Sequence, residues 1–188
     1  MREMDPKYIF FLHWSWIVPQ EITDEFECVC FHMTDVPYGR GGSPLQNLIA
    51  RGHSETKLTA LRMTEDVDAG PVYYKRSLSL SGCAQDVYIR ASSIAASMIQ
   101  DIIAREPEPA PQTGEVVMFT KRTPAQSRAS DVSALNDLYD FIRMLDAEGY
   151  PHAFFEHQGF RLEFTEAEKT DNMLTATVQV RKSEEVEN

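Results

Sequence analysis

The sequence has few cysteines, few basic residues and no long hydrophobic run. Three cysteines in 188 residues are too few for a disulfide framework, so we expect free thiols and a reducing, cytoplasmic environment. The densest apolar run, YIFFLHWSWIV at residues 8–18, is about half of the length that crosses a membrane. The charged start MREMDPK lacks the pattern of a signal peptide. These absences predict a cytoplasmic protein without membrane contact.

Basic charge is scarce as well. The 18 lysines and arginines are outnumbered by 29 aspartates and glutamates, which gives a formal net charge of −11. A protein that binds the phosphate backbone of a nucleic acid normally presents a basic surface, so the composition argues against a nucleic-acid partner. A local basic patch could still hold a phosphorylated small molecule, because net charge describes the whole surface and not one cleft.

The apolar pattern predicts two structured regions joined by a linker. Residues 1–106 alternate strands with helices, as an α/β domain does. The prolines of REPEPAPQTGE predict a linker at 107–114, and residues 115–188 predict a smaller α+β or barrel-like unit. Strands are expected at 8–13, 27–32, 58–63, 72–79, 116–119, 153–156, 160–164 and 174–180, and helices at 44–51, 84–105 and 133–148, with Ser43 capping the first of these helices.

One stretch carries the candidate chemistry, ECVCFHMTDVPYGRGG at residues 27–42. A strand directs alternate side chains to one face, so Cys28, Cys30 and His32 should point the same way. A glycine-rich loop directly after a strand is a common place for a site in α/β folds. Cys30 could be a nucleophile activated by His32, although a small buried thiol is the simpler interpretation. A zinc site is disfavoured, because successive strand positions rarely converge on one ion and no fourth ligand is evident.

The run FHMTDVPYGRGGSPLQNLIARGHSETKLTALRMTEDVDAGPVYY, residues 31–74, resembles the 10-formyltetrahydrofolate-dependent formyltransferases. The branch that looks most similar contains methionyl-tRNA formyltransferase and the enzymes that formylate nucleotide-linked amino sugars. The matching positions are His32, Pro37, Arg40-Gly41, Gly52 and the run Asp68-Ala69-Gly70-Pro71. Two positions depart from the family pattern: Cys30 stands where the family has Asn, and His53 where it has Asp.

The resemblance implies a partial Rossmann-like formyltransferase core and 10-formyltetrahydrofolate as co-substrate, with no metal. The family has roughly three further strand–helix units ahead of the strand at 8–13. Without them that strand would be an open edge, so we expect a homo-oligomer formed through it. Truncation of the reading frame and a natural remnant are both open explanations.

The resemblance also implies roles for individual residues. His32, Asp68 and Cys30 would form the catalytic group, with Asp68 holding the imidazole of His32 in one tautomer. Arg40 and Gly41 would border the amine substrate. The pterin would be bordered by Trp14, Ser15, Trp16, Ile17, Met63, Thr64 and Glu65. The structural alternatives are a core histidine at 32, a turn residue at 68, a solvated loop at Arg40 and core packing by the two tryptophans.

The expected function is formyl transfer to a small amine, most simply a nucleotide-linked amino sugar. The acidic composition and the short C-terminal unit favour a small substrate over tRNA. Two alternatives remain: a non-catalytic folate-binding or interaction protein, which Cys30 would suit because a thiol is a weak donor, and an enzyme like methionyl-tRNA formyltransferase.

Overall fold

The computed structural model of the protein describes residues 6–130 and 132–183. The ends of the predicted domains, residues 1–5 and 184–188, lie outside the described residues, as does most of the MREMDPK stretch. The described strands are β1 (Tyr8–Phe11), β2 (Glu27–His32), β3 (Tyr38–Gly41), β4 (Glu55–Arg62), β5 (Val72–Ser79), β6 (Val117–Phe119), β7 (Ala153–His157), β8 (Phe160–Lys169) and β9 (Leu174–Lys182). The helices are α1 (Gln20–Glu25), α2 (Pro44–Ala50), α3 (Ala84–Arg105) and α4 (Leu135–Arg143), and Pro124–Ser127 form a 3-10 helix.

The main sheet has four strands in the order β1-β2-β4-β5. β1 runs parallel to β2, with Phe11 opposite Cys30, whereas β4 and β5 are antiparallel to their neighbours. β1 is the end strand of this sheet, as expected for residues 8–13, but it stops at Phe11. The extended run cannot continue because His13 takes a left-handed backbone conformation, with φ at 49°.

Helix α3 covers one face of this sheet through contacts with β4 and β5. It spans the residues that the apolar spacing predicts, and Val87, Ala91, Met98 and Ile102 on its inner stripe are buried. At its start the backbone N–H of Cys83 donates to the carboxylate of Asp86 at 3.0 Å. The apolar stripe and this cap explain why the helix begins and ends where the sequence indicates.

The predicted loop YGRGGSP contains a strand that the sequence does not reveal. β3 pairs in parallel with β6, with Gly41 opposite Phe119. A Cβ at position 41 would lie 2.4 Å from the Phe119 carbonyl oxygen, and Gly41 has φ at 103°, so only glycine allows this close approach. Ser43 occupies the N-cap position as predicted, but its side chain makes no capping hydrogen bond to the helix. Its hydroxyl instead accepts a hydrogen bond from the Arg122 backbone N–H at 3.0 Å.

The C-terminal part places α4 against an antiparallel sheet in the order β7-β8-β9. α4 is shorter than predicted, because the chain turns after Arg143 and buries Met144 and Leu145. β8 and β9 are longer than predicted, because they pair along their length from Phe160–Lys182 to Lys169–Leu174. The backbone ladder therefore orders polar residues whose side chains give no strand pattern.

The mixed α/β class is confirmed, whereas the Rossmann-like and barrel-like descriptions and the division at 106 and 115 stay predictions. Packing crosses that division, since Ile142 and Leu145 belong to the same hydrophobic cluster as Leu45 and Leu48. In the described ranges no helix combines the length and apolar character that a membrane span requires.

Candidate active site

The site forms where β2 ends. His32, the last residue of that strand, is buried with 8% exposure. Its Nε2 lies 2.7 Å from the Gly39 carbonyl oxygen, which also accepts a hydrogen bond from Thr34 Oγ1 at 3.2 Å. A carbonyl oxygen can only accept, so Nε2 carries the proton in this contact. The turn between β2 and β3 thus fixes both the orientation of the imidazole and the identity of its donor nitrogen.

Asp68 faces the other ring nitrogen. Its Oδ2 lies 3.4 Å from His32 Nδ1 and accepts a hydrogen bond from the Gly41 backbone N–H at 2.9 Å. Asp68 itself has φ at 53°, a left-handed conformation that aspartate tolerates better than most residues. The predicted meeting of imidazole and carboxylate is present, whereas the catalytic roles of His32 and Asp68 stay predictions.

Cys30 lies two positions before His32 on β2 and is partly exposed. Burial, and after it the negative charge of Asp68, raises the pKa of its thiol to about 12. A nucleophilic cysteine needs a lowered pKa, so the raised pKa argues against a nucleophilic Cys30, whose role stays a prediction. In the described part of the chain no group of three or more His, Cys, Asp or Glu side chains is placed to hold a metal ion.

Arg40 is held by a residue that sequence reasoning missed. Gln112 Oε1 accepts hydrogen bonds from Arg40 Nε at 3.1 Å and Nη2 at 2.8 Å. The Gln112 Nε2 donates to the carbonyl oxygens of Asp68 and Gly70, both at 2.8 Å. The predicted linker is therefore a strap over the site, and Arg40 is bound rather than freely solvated. No local signal marks Gln112, because it stands among prolines in a segment without periodicity.

The residues predicted to border the pterin fall into two groups. Trp14, Trp16 and Ile17 follow β1 and are 54%, 76% and 82% exposed, so packing of the tryptophans in the core is wrong; Ser15 is also exposed. Met63 follows β4, and its backbone N–H donates to the Cys28 carbonyl oxygen at 2.8 Å. By register the first group lies beyond the end of β2, and Met63, Thr64 and Glu65 lie beside its start. Their role at a pterin stays a prediction.

Comparison with known proteins gives consistent matches. The family described as methionyl-tRNA formyltransferase, C-terminal domain, matches residues 124–181. A structure of methionyl-tRNA formyltransferase from Clostridium thermocellum is 45% identical with a TM-score of 0.94, and the match covers 97% of this chain and 81% of that one. Methionyl-tRNA formyltransferase of Rickettsia bellii is 24% identical over 91% of this chain and 58% of its own length.

More distant structures share the fold. A sugar N-formyltransferase from Shewanella has 16% identity and a TM-score of 0.69, covering 87% of this chain and 70% of that one. HypX from Aquifex aeolicus in complex with tetrahydrofolic acid has 18% identity and a TM-score of 0.70, covering 86% and 29%.

The chain spans about half the length of the curated relatives that it matches, 58% and 47% for two of them. The match to the Clostridium thermocellum structure, in contrast, extends over nearly the whole of this chain at an identity that indicates common descent. The chain belongs to the formyltransferase family that includes methionyl-tRNA formyltransferase.

Proposed function

We propose that this protein transfers a formyl group from 10-formyltetrahydrofolate to an amine, at the His32–Asp68 pair. The observation that carries the proposal is the 3.4 Å approach of His32 Nδ1 to Asp68 Oδ2 beside the Gly41 amide. The family membership and the tetrahydrofolate complex of the HypX neighbour support the folate donor. The whole activity is a proposal because the chain matches only part of its curated relatives.

Formyl transfer places specific demands on these side chains. The amine nitrogen forms a bond to the formyl carbon, an electron pair moves to the formyl oxygen, and the bond from carbon to the folate nitrogen then breaks. The amine loses a proton, and the leaving folate nitrogen gains one. The site must therefore donate a hydrogen bond to the developing oxyanion and accept a proton from the amine.

The proposed roles follow from the hydrogen bonds of the site. Because His32 Nε2–H is given to the Gly39 carbonyl, the nitrogen available to a substrate is Nδ1. This nitrogen is a donor only when the ring is doubly protonated. The 3.4 Å gap to Asp68 is longer than an ordinary hydrogen bond, which leaves the pair open to a substrate atom. We assign oxyanion donation to His32 and proton acceptance to Asp68.

Methionyl-tRNA is the acceptor that the relatives favour. The matched proteins with higher identity are methionyl-tRNA formyltransferases, whereas the sugar N-formyltransferase shares only the fold. The exclusion of nucleic acid depended on the net charge of −11, and the expectation of an amino-sugar substrate on that charge and on the short C-terminal unit. Net charge averages the whole surface, and phosphate contacts need only local cations.

The test is a formyl-transfer assay with 10-formyltetrahydrofolate and either methionyl-tRNA or a nucleotide-linked amino sugar. We expect turnover with the tRNA and an affinity that falls steeply with salt. His32→Ala should lower the rate by about 100- to 1000-fold, as loss of one oxyanion donor does, and Asp68→Asn should also lower it. His157→Ala, at an exposed histidine of β7, is the matched control. Wild-type rates in His32→Ala would refute the assignment, and turnover of the amino sugar alone would reverse the choice of acceptor.

Cys30 favours a second candidate, a folate-binding protein without turnover. Its thiol replaces the amide donor that the resemblance places there, and a thiol is a weak donor. Calorimetry with a reduced folate would then show binding while the assay shows no transfer. Recovery of transfer in Cys30→Asn would identify the missing donor as the cause.

A further inference from the structure

Residues 12–17, which we call the tryptophan loop, expose four large apolar side chains to solvent. They are Leu12, Trp14, Trp16 and Ile17. An edge-to-face contact between Phe11 and Trp14, with ring centroids 5.7 Å apart, links the loop to the end of β1. A loop with this much exposed apolar surface needs an anchor elsewhere if its tryptophans are to occupy fixed positions.

His13 is itself exposed, and its side chain contacts α3. Its Nε2 lies 2.8 Å from Ser92 Oγ, and its ring meets Tyr88 edge to face at 5.4 Å. The Ser92 hydroxyl donates its one hydrogen to the Tyr88 carbonyl oxygen at 2.9 Å. It must therefore accept from His13, which places the imidazole proton on Nε2.

The backbone at His13 is consistent with an anchor. Its φ of 49° is a conformation that residues other than glycine adopt at some cost, and such a conformation persists where surrounding contacts fix it. Below the ring lies a cleft of about 10 Å³, lined by Phe31, Met33, Leu58, Ala91 and Ala95 together with Leu12 and His13. This volume holds one water molecule at most, so the base of the loop packs over the cleft with no room for a ligand beneath it.

We propose that His13 is a positioning residue that fastens the tryptophan loop to α3 through Ser92 and so holds Trp14 and Trp16 as one wall of the folate site. The role of the tryptophans as a wall of the folate site rests on the proposed function. The attachment of the loop to α3 is independent of the reaction.

Intrinsic fluorescence tests the anchor directly, because the two tryptophans of the sequence both lie in this loop. We expect His13→Ala and Ser92→Ala to lower the tryptophan anisotropy and to increase quenching by acrylamide. Ser93→Ala is the matched control, since the Ser93 hydroxyl makes the same helical bond, to the Ile89 carbonyl oxygen at 3.1 Å. His13→Asn should retain part of the anisotropy, because asparagine keeps an N–H donor and tolerates a left-handed backbone.

Kinetics test the connection to the folate. In His13→Ala and Ser92→Ala we expect KM for 10-formyltetrahydrofolate to rise by roughly 3- to 10-fold, the equivalent of one hydrogen bond, with kcat little changed. Unchanged anisotropy and quenching in both variants would overturn the anchor. A loosened loop with unchanged KM would overturn the folate wall. If the wild type neither binds nor turns over folate, the proposed function fails, and the fluorescence comparison alone decides the anchor.

Discussion

At the scale of single residues, the alkylation rate of Cys30 distinguishes a nucleophilic thiol from an unreactive buried one. Burial and Asp68 raise the pKa of its thiol to about 12, so at pH 8 the thiolate fraction is lower than that of a free thiol by on the order of a thousandfold. We therefore expect Cys30 to resist alkylation in the folded protein. Its alkylation rate should keep rising with pH above pH 10. Peptide mapping by mass spectrometry after timed iodoacetamide treatment measures this. Protein unfolded in urea is the control, and rapid labelling of folded Cys30 at pH 7 would restore the nucleophile hypothesis.

The same scale gives a pH dependence for His13. Burial lowers the pKa of its imidazole. A histidine whose pKa is lower in the folded state leaves the free energy of unfolding unchanged above its unfolded pKa of about 6.5. As the pH falls below that value, the free energy of unfolding decreases. The groups described around the ring are uncharged at neutral pH: Leu12, Phe31, Met33, Leu58, Tyr88, Ala91, Ser92 and Ala95.

Acidification below about pH 6.5 should therefore release the tryptophan loop. Tryptophan anisotropy recorded from pH 8 to pH 5 should fall in the wild type and stay flat in His13→Asn, which has no titratable group at this position. A parallel fall in both proteins would contradict an origin in His13.

At the scale of elements, the strap formed by residues 107–114 depends on Gln112. Its amide makes four hydrogen bonds, with Arg40, Asp68 and Gly70. Gln112→Ala should lower the free energy of unfolding by about 1–3 kcal/mol, because it leaves partly buried polar groups unpaired. It should also lower the formyl-transfer rate by releasing the Asp68 loop. Urea unfolding and the transfer assay measure the two effects, with the exposed neighbour Thr113→Ala as the control. An equal loss in both variants would contradict the assigned contacts.

The elements also show what the sequence could predict. The bounds of β2, β5 and α3 agree with those predicted from the sequence. β2 and α3 bury apolar side chains along their length, and β5 buries Tyr73 and Leu78. β3 was missed, since its glycines serve a close backbone approach that only the partner strand β6 explains. Strand propensity describes side-chain packing on a pleated surface, so a strand with glycine at every second position leaves no pattern.

The site was also predictable only in part, because some of its residues stand in a motif and others are joined only by the tertiary fold. His32 and Asp68 stand in a motif whose order and spacing are visible in one sequence, and they meet as expected. Gln112 and His13 belong to no motif, and their contacts with residues 40, 68 and 92 exist only after folding. Long-range hydrogen bonds of this kind are fixed by the tertiary structure rather than by local preference.

At the scale of the whole molecule, one hydrophobic cluster joins the N-terminal and C-terminal parts. Ile142 of α4 is 1% exposed and belongs to the cluster that contains Leu45 of α2. Ile142→Ala should lower the free energy of unfolding by about 2–5 kcal/mol, as for other buried isoleucines, while a single calorimetric transition persists. Ile103→Ala is the matched control, since Ile103 is 55% exposed and should change stability by less than about 0.5 kcal/mol. Two separate transitions would show that the parts unfold independently.

The strap has a second attachment point besides Gln112. Val72 and Ala110 exchange two backbone hydrogen bonds, at 2.7 and 2.9 Å. β6, beyond the strap, remains paired with β3. A protease that cut the peptide next to Glu106 would therefore produce a nicked molecule whose two pieces stay together. We expect such a preparation to elute from a gel-filtration column as one particle and to separate into two bands only after denaturation.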